Sequence, residues 1–322
     1  MTDPQLLVQE RLARNTWGIL GSQGYVLGLD LGSYGLRAAL VDLHRHSYTS
    51  AHVESETQPP DQMVDSLVEL ARSLMADQGV TADRLVRVGV GIPGPVDIRS
   101  GTVRLIPRMS GWENYPLQEK IESAFDAVTL VDNDANLIAL GEATFGAGKG
   151  SRDLFYLHLS SGVGGGIVLD GRLYHGATST AGEIGHAVVG HGWSGVGRPA
   201  TLEELVSIRG LLRRAEELGF ATNNLHDLFS DHAVGQQVVR EAVTMLAMKL
   251  AQVVSLIDPN TVVLGGVVAR IGGEPFVQAI AAQVNQFIAP AFARPVQIVP
   301  ATLGFDSVAI GGIALALESM RD

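Results

Sequence analysis

The sequence predicts an α/β protein built from two similar halves, on three observations. Short apolar runs with the spacing of buried strands alternate with longer stretches whose apolar residues recur at helical spacing. The order three strands, helix, strand, helix, strand occupies residues 25–135 and begins again at residue 153. In each half the first two strands are joined by a short glycine-containing turn, Leu31-Gly32-Ser33-Tyr34 and Ser160-Ser161-Gly162-Val163-Gly164. With 322 residues, 46% of them hydrophobic, the chain suits two domains or one large unit with a split core.

Residues 1–24 read as a tail or linker holding one short helix, residues 4–14. Residues 25–30 and 35–42 are apolar runs, and residues 47–54 alternate like an exposed third strand. Met63, Leu67, Leu70, Ala71 and Leu74 then recur at helical spacing within residues 59–77. Residues 85–91 form a buried strand that Ile92-Pro93-Gly94-Pro95 breaks, because proline cannot donate to a ladder. Residues 101–117 are irregular, with Trp112 on a loop, and residues 117–125 are helical. The apolar run 128–131 stops on Asp132, Asn133 and Asp134, and a helix over residues 135–141 follows, with Asn133 or Asp134 as its N-cap. Ligands of open α/β sheets bind beside the carboxyl ends of strands, so Asp134 is placed for chemistry, with helix capping as the plain alternative.

The second half repeats the scheme with strands over residues 153–159 and 165–170 and a short third strand from Gly171 and Arg172. Helices are expected over 201–218, 234–257, 275–288 and 307–320, and strands over 261–264 and 296–299. A cleft between two such halves would enclose a ligand and expel water.

Composition removes several classes of function. A net charge of −11 repels phosphate backbones, which disfavours nucleic-acid binding by the general surface. The chain has no cysteine, so disulfides, thiolate zinc sites and thiol nucleophiles are excluded. No stretch has the length and purity of a membrane span and no signal peptide is evident, so the expected location is cytoplasmic.

Four stretches carry candidate chemistry. Ser160 to Gly166 offers unshielded backbone N–H groups and two hydroxyls, as a phosphate cradle needs; ordinary turn chemistry is the alternative, and neither a Walker A loop nor a dinucleotide fingerprint fits. Glu183-Ile184-Gly185-His186, with Glu203 and Glu204 downstream, gathers acceptors and an imidazole of the kind that holds a polyol. Zinc on Glu183, His186 and His191 is a rival without fixed spacing. Gly265-Gly266 ends a strand and Gly311-Gly312 lies in the last helix, where a glycine pair costs about 2 kcal/mol against alanine and so points to close approach by a ligand or another helix.

Together these residues resemble the ROK family of sugar kinases and sugar-responsive repressors. The resemblance runs from about Gly24 to Leu317 and rests on Gly89-Val90-Gly91-Ile92-Pro93-Gly94-Pro95-Val96-Asp97, Asp132-Asn133-Asp134-Ala135-Asn136, the stretch from Gly162 to Gly171, and Ala181-Gly182-Glu183-Ile184-Gly185-His186. It implies the actin-like ATPase (ribonuclease H-like) fold, with residues 25–135 plus 307–322 as one domain and 136–306 as the other. It also implies that Asn133, Asp134, Glu183, His186 and Glu203 hold a hexose, with Asp134 as general base. Asp30 with Gly32, and Ser161 with Gly162 and Gly164, would flank ATP phosphates and Mg²⁺, while Gly265 and Gly266 would border the adenosine. A homodimer or homotetramer is the family expectation.

Three departures bear on catalysis. Family kinases carry Asp-x-Gly-Gly-Thr where this chain has Asp30-Leu31-Gly32-Ser33-Tyr34. The family's three zinc cysteines align best with Ser194, Val196 and Thr201, so no structural zinc is expected and the choice of Glu203 over Glu204 is provisional. Arg108 follows Pro107 where many family kinases have asparagine. The family's repressors carry a winged helix-turn-helix that residues 1–24 are too few to hold, yet Tyr25 to Gly32 and Leu36 to Ala39 resemble the repressor branch. The expected function is a regulator-type or degenerate sugar-kinase homologue that binds a hexose; the alternative is an active, glucokinase-like ATP-dependent hexose kinase.

Overall fold

The computed structural model describes residues 3–14, 24–32, 35–55, 58–106, 110–190, 198–288 and 294–320. These form two compact units. The first comprises residues 1–150, 175–181 and 302–322, and the second residues 151–174 and 182–301.

In the first unit, α1 (Pro4–Ala13) precedes β1 (Tyr25–Gly32), β2 (Gly35–Asp42) and β3 (Ser47–Val53). Then follow α2 (Pro60–Asp77), β4 (Leu85–Ile92), the small pair β5 (Val96–Asp97) and β6 (Thr102–Val103), α3 (Leu117–Phe125), β7 (Thr129–Asn133) and α4 (Asp134–Thr144). The sheet order is β3-β2-β1-β4-β7. The first three strands form an antiparallel meander, and β1, β4 and β7 run parallel.

Alternation along β1 and β4 sorts the two faces. Leu27, Leu29, Leu31, Val88, Val90 and Ile92 pack with Met63, Leu67 and Ala71 of α2 and with Ile121 and Phe125 of α3. On the opposite face Gly28 and Gly89 have no side chain. A Cβ on either would strike the backbone of Ala309 or Gly312, so the glycines let the last helix lie flush on the sheet. Gly311 in turn abuts the Leu137 backbone of α4. Helix packing therefore accounts for the Gly311-Gly312 pair. Trp112 is on a loop as expected but fully buried, edge-on to Tyr115 at 5.0 Å. The residues read as a tail include a docked helix: Val8 and Leu12 of α1 are buried, and Gln5 Nε2 donates to the Tyr48 carbonyl at 3.1 Å.

The second unit contains β8 (Leu154–Leu159), β9 (Val163–Leu169), β10 (Arg172–Leu173), β11 (Val188–Gly190), β12 (Ala200–Thr201), α5 (Leu202–Val206), α6 (Ile208–Glu217), α7 (Ala233–Ile257), β13 (Thr261–Gly265), α8 (Gly266–Ile288) and β14 (Gln297–Pro300). Its sheet order, β10-β9-β8-β13-β14, repeats that of the first, again an antiparallel meander followed by parallel strands. Two units on one scheme are the actin-like, ribonuclease H-like arrangement that the resemblance implies.

Several boundaries differ from the sequence reading. The helix expected over residues 201–218 breaks at Ser207, whose extended backbone (ψ 163°) ends α5 while its side chain accepts from Gly210 N to cap α6. Helix α8 begins at Gly266, well before Pro275, and is kinked at Gly273, where φ is +62°. Helix α4, expected to open the second half, stays in the first unit together with α9 (Ser307–Glu318). Its Glu142 is fully buried and accepts from Ala147 N at 2.8 Å, Thr302 N at 2.8 Å, Leu303 N at 2.9 Å and Thr302 Oγ1 at 3.1 Å. This carboxylate ties the end of α4 to the segment leading into α9. Among the described residues no helix is long and apolar enough to cross a membrane.

Candidate functional site

At the carboxyl end of the first sheet, Asp30 of β1, Gly91 of β4 and Asp132 of β7 stand in register on adjacent parallel strands. They share the face that carries the glycines, as the period of two requires. Strand β7 stops because Asn133 turns from extended backbone (φ −64°, ψ 143°) into the first turn of α4. The Asn133 Oδ1 accepts from Ala135 N at 2.9 Å and Asn136 N at 3.4 Å, and its Nδ2 donates to the Gly94 carbonyl at 3.0 Å. Asn133, then, is the N-cap, and Asp134 is the first helical residue, where a helix N-terminus favours a carboxylate. Its Oδ1 accepts from Ala135 N at 2.7 Å.

Asp30 is buried beside this turn. Burial, then the nearby Asp134 charge, raise its carboxyl from 3.8 to about 8; Arg37 opposes the shift and Asp306 adds to it. Arg37 is shared with Asp306 at 3.4 Å, and Asp306 also accepts from Tyr48 Oη at 3.0 Å and Ser50 Oγ at 2.8 Å. A Cβ on Gly32 would lie 3.3 Å from Asp30 Oδ1, so glycine there leaves room for the carboxyl. Ser33, Tyr34, Pro107 and Arg108 lie outside the described residues.

Two residues given no role from sequence, Asp132 and His175, join this turn. Asp132 is 2% exposed and both its oxygens are engaged. Oδ1 accepts from Asn133 N at 2.7 Å and Asn136 Nδ2 at 2.9 Å, and Oδ2 accepts from His175 Nε2 at 2.6 Å. The i,i+4 spacing of Asp132 and Asn136 was available as a signal; nothing local marks His175, which comes from 43 residues away.

In the second unit the predicted residues gather around the start of β9. Glu203 Oε2 accepts from Val163 N at 3.0 Å, and a Cβ on Gly162 would lie 3.2 Å from the same oxygen. Glu204 is committed elsewhere. It closes a capping box with Thr201 and pairs with Arg198, which together lower its carboxyl to about 2. This settles which of the two glutamates faces the turn. Glu183 and His186 bracket a short 3-10 turn, with side chains 3.8 Å apart and exposed. That turn rests on β9, because Gly185 leaves space for the Val163 carbonyl, and Gly182 (φ +93°) and Gly165 do the same for one another. Leu202 N donates to the Ala187 carbonyl at 2.9 Å, so the stretch after His186 also reaches the head of the helix bearing Glu203.

The glycine-rich stretch thus serves close backbone packing as well as any ligand. Ser161 and Gly164 sit on either side of the turn, and Gly164 pairs with His158 in the β8–β9 ladder. His158 lies 2.9 Å from the Tyr156 hydroxyl, and burial lowers its imidazole to about 4, so it is neutral at physiological pH. Gly265 leaves space for the Tyr156 hydroxyl, and Gly266 (φ +87°) makes the strand-to-helix turn over the Leu159 backbone. Thr201, aligned with a zinc cysteine, caps a helix; His191, Ser194 and Val196 lie outside the described residues. Among the described residues no three His, Cys, Asp or Glu side chains are placed to hold a metal ion.

The ROK family profile matches residues 26–319. A glucokinase of Halalkalibacterium halodurans is 27% identical over 313 residues, covering 90% of this chain and 94% of its own. A xylose repressor of Caldicellulosiruptor bescii is 27% identical over 319 residues, covering 92% of this chain and 79% of its own. The solved structure of a ROK family glucokinase from Streptomyces griseus in complex with glucose and AMPPNP aligns with a TM-score of 0.72 at 28% identity, over 91% of this chain and 99% of that one.

Proposed function

The chain belongs to the ROK family, and on that premise we propose that it binds a hexose or hexose derivative as a regulator-type or degenerate sugar-kinase homologue. The residues assigned to the sugar are Asn133 and Asp134 in the first unit and Glu183, His186 and Glu203 in the second. Carboxylates accept hydrogen bonds from hydroxyls on both oxygens, and amide and imidazole groups both donate and accept, which suits a ring of vicinal hydroxyls. The glucose in the Streptomyces griseus relative and the xylose repressor among the relatives support a monosaccharide as the ligand class.

One observation carries the choice of a binding role over catalysis: the Val163 N–H, within the glycine-rich turn, is already taken by Glu203. A phosphate approaching that amide would meet a carboxylate in place of a free N–H. With no cation beside it, Asp30 keeps its proton up to about 8, and a divalent cation there would lower that value. The residues Asp30, Gly32, Ser161, Gly162, Gly164, Gly265 and Gly266 would flank a nucleotide in the second reading.

The second reading, an active ATP-dependent hexose kinase with Asp134 as general base, is favoured by Asp134 itself, at a strand end beside Asp30. Thermal unfolding with a panel of hexoses and N-acetylhexosamines, with and without Mg-ATP, tests the two. A ligand at a hundred times its Kd stabilises by about 2.7 kcal/mol. The expected result is a Tm rise with sugar alone, lost in Asp134→Asn. Sugar-dependent ADP release that Asp134→Asn abolishes would establish the kinase instead.

A further inference from the structure

The chain leaves the second unit after Tyr174, contributes residues 175–181 to the first, and returns to the second at Gly182, just ahead of Glu183 and His186. This strap is closed by Ala181 N donating to the His175 carbonyl at 3.1 Å and turns at Gly176 (φ +71°) and Ser179 (φ +59°). It is fastened at its first residue, where His175 Nε2 donates to Asp132 Oδ2 at 2.6 Å. Asp132 stands directly before Asn133 and Asp134, and its other oxygen holds Asn133 N and Asn136 Nδ2.

We propose that His175 is a positioning residue whose imidazolium, paired with Asp132, holds the first turn of α4 in its sugar-binding arrangement, so that the sugar is held less tightly once His175 loses its proton. The inference rests on the hexose-binding reading. Its physical basis is that Asp132 is a buried carboxylate: a neutral His175 can still donate Nε2–H but no longer offsets the charge, so Asp132 leans more on its remaining contacts. Those remaining contacts are the Asn133 amide and the Asn136 side chain, which together set the cap of α4.

The groups facing His175 are acidic. Asp132 comes from β7 and Glu318 from α9, while the strap itself, Gly176 to Ala181, carries no charge. Asp134 at the head of α4, Asp30 of β1 and the opposing Arg37 of β2 complete the surroundings of the turn. The bond to Asp132 raises the His175 pKa above its ordinary 6.5, burial pulls it down, and the charges of Asp132 and Glu318 add to the rise. A histidine raised by its partner contributes fully below the unfolded value of about 6.5, and the contribution is lost as pH rises through the folded value.

The test uses the full chain as wild type, His175→Gln, Asp132→Asn and Asp30→Asn. Titration calorimetry with D-glucose, D-xylose and N-acetyl-D-mannosamine is run from pH 5.5 to 9, beside NMR titration of the His175 ring. Sugar affinity of the wild type is expected to fall toward high pH, on the order of tenfold. His175→Gln, which keeps a donor but no charge, is expected to bind more weakly at low pH with a flat profile, and Asp132→Asn to lower the His175 pKa. Unchanged affinity and pH profile in His175→Gln would overturn the proposal. So would a pH dependence that survives in His175→Gln and vanishes in Asp30→Asn, because Asp30 also loses a proton near 8. A folded wild type that binds none of the sugars at any pH overturns the hexose reading and the proposal with it, while the NMR titration still reports whether the ion pair forms.

Discussion

Asp30→Asn should stabilise the protein, and by more at higher pH. Asp30 is 8% exposed, and its carboxyl is pushed to about 8, first by burial and next by Asp134. In the unfolded chain it ionises near 3.8; in the folded one it keeps its proton until about 8. Between those values the folded state binds more protons than the unfolded, so this residue makes stability fall as pH rises and level off above about 8. Neutral pH lies roughly three pH units above the unfolded value, at about 1.4 kcal/mol each, so folding costs about 4 kcal/mol at Asp30 near pH 7. Asparagine keeps the size and hydrogen-bonding shape without the proton equilibrium. Urea unfolding at pH 4, 5.5, 7 and 8.5 measures the gain, which should be near zero at pH 4, grow to at most about 4 kcal/mol by pH 7, and level above pH 8. A gain that is the same at every pH, or a less stable variant at pH 8.5, would refute the account.

Other substitutions address the supports of the site. Glu142→Gln replaces an acceptor of four bonds by a group with one donor end, so two buried donors face an amide NH₂; the cost should be about 2–4 kcal/mol by urea unfolding, and a change under about 0.5 kcal/mol would dismiss the anchoring role. Gly89→Ala forces a methyl group into the Gly312 backbone, where neither partner is a flexible side chain, and should lower stability by about 1–3 kcal/mol or more, read as a falling Tm.

The alternation of strand and helix and its repetition were legible in the sequence because both are local. Strands sandwiched between helices read as continuous apolar runs, and α2 and α3 declare themselves by spacing. The end of β7 on Asp132, Asn133 and Asp134 was equally legible, since polar residues that stop a strand and cap a helix leave a signature within a few positions. Ser207 was not, because one residue with extended backbone inside a helical pattern costs no apolar position and leaves the periodicity intact. What only the tertiary structure decided are the long-range pairings: Glu203 rather than Glu204 on Val163, Gly28 and Gly89 under α9, Asp30 held neutral by its burial, and His175 brought to Asp132. Each depends on two segments meeting across tens of residues or more, and a side chain's partner, proton and exposure are properties of that meeting, which no short window of sequence contains.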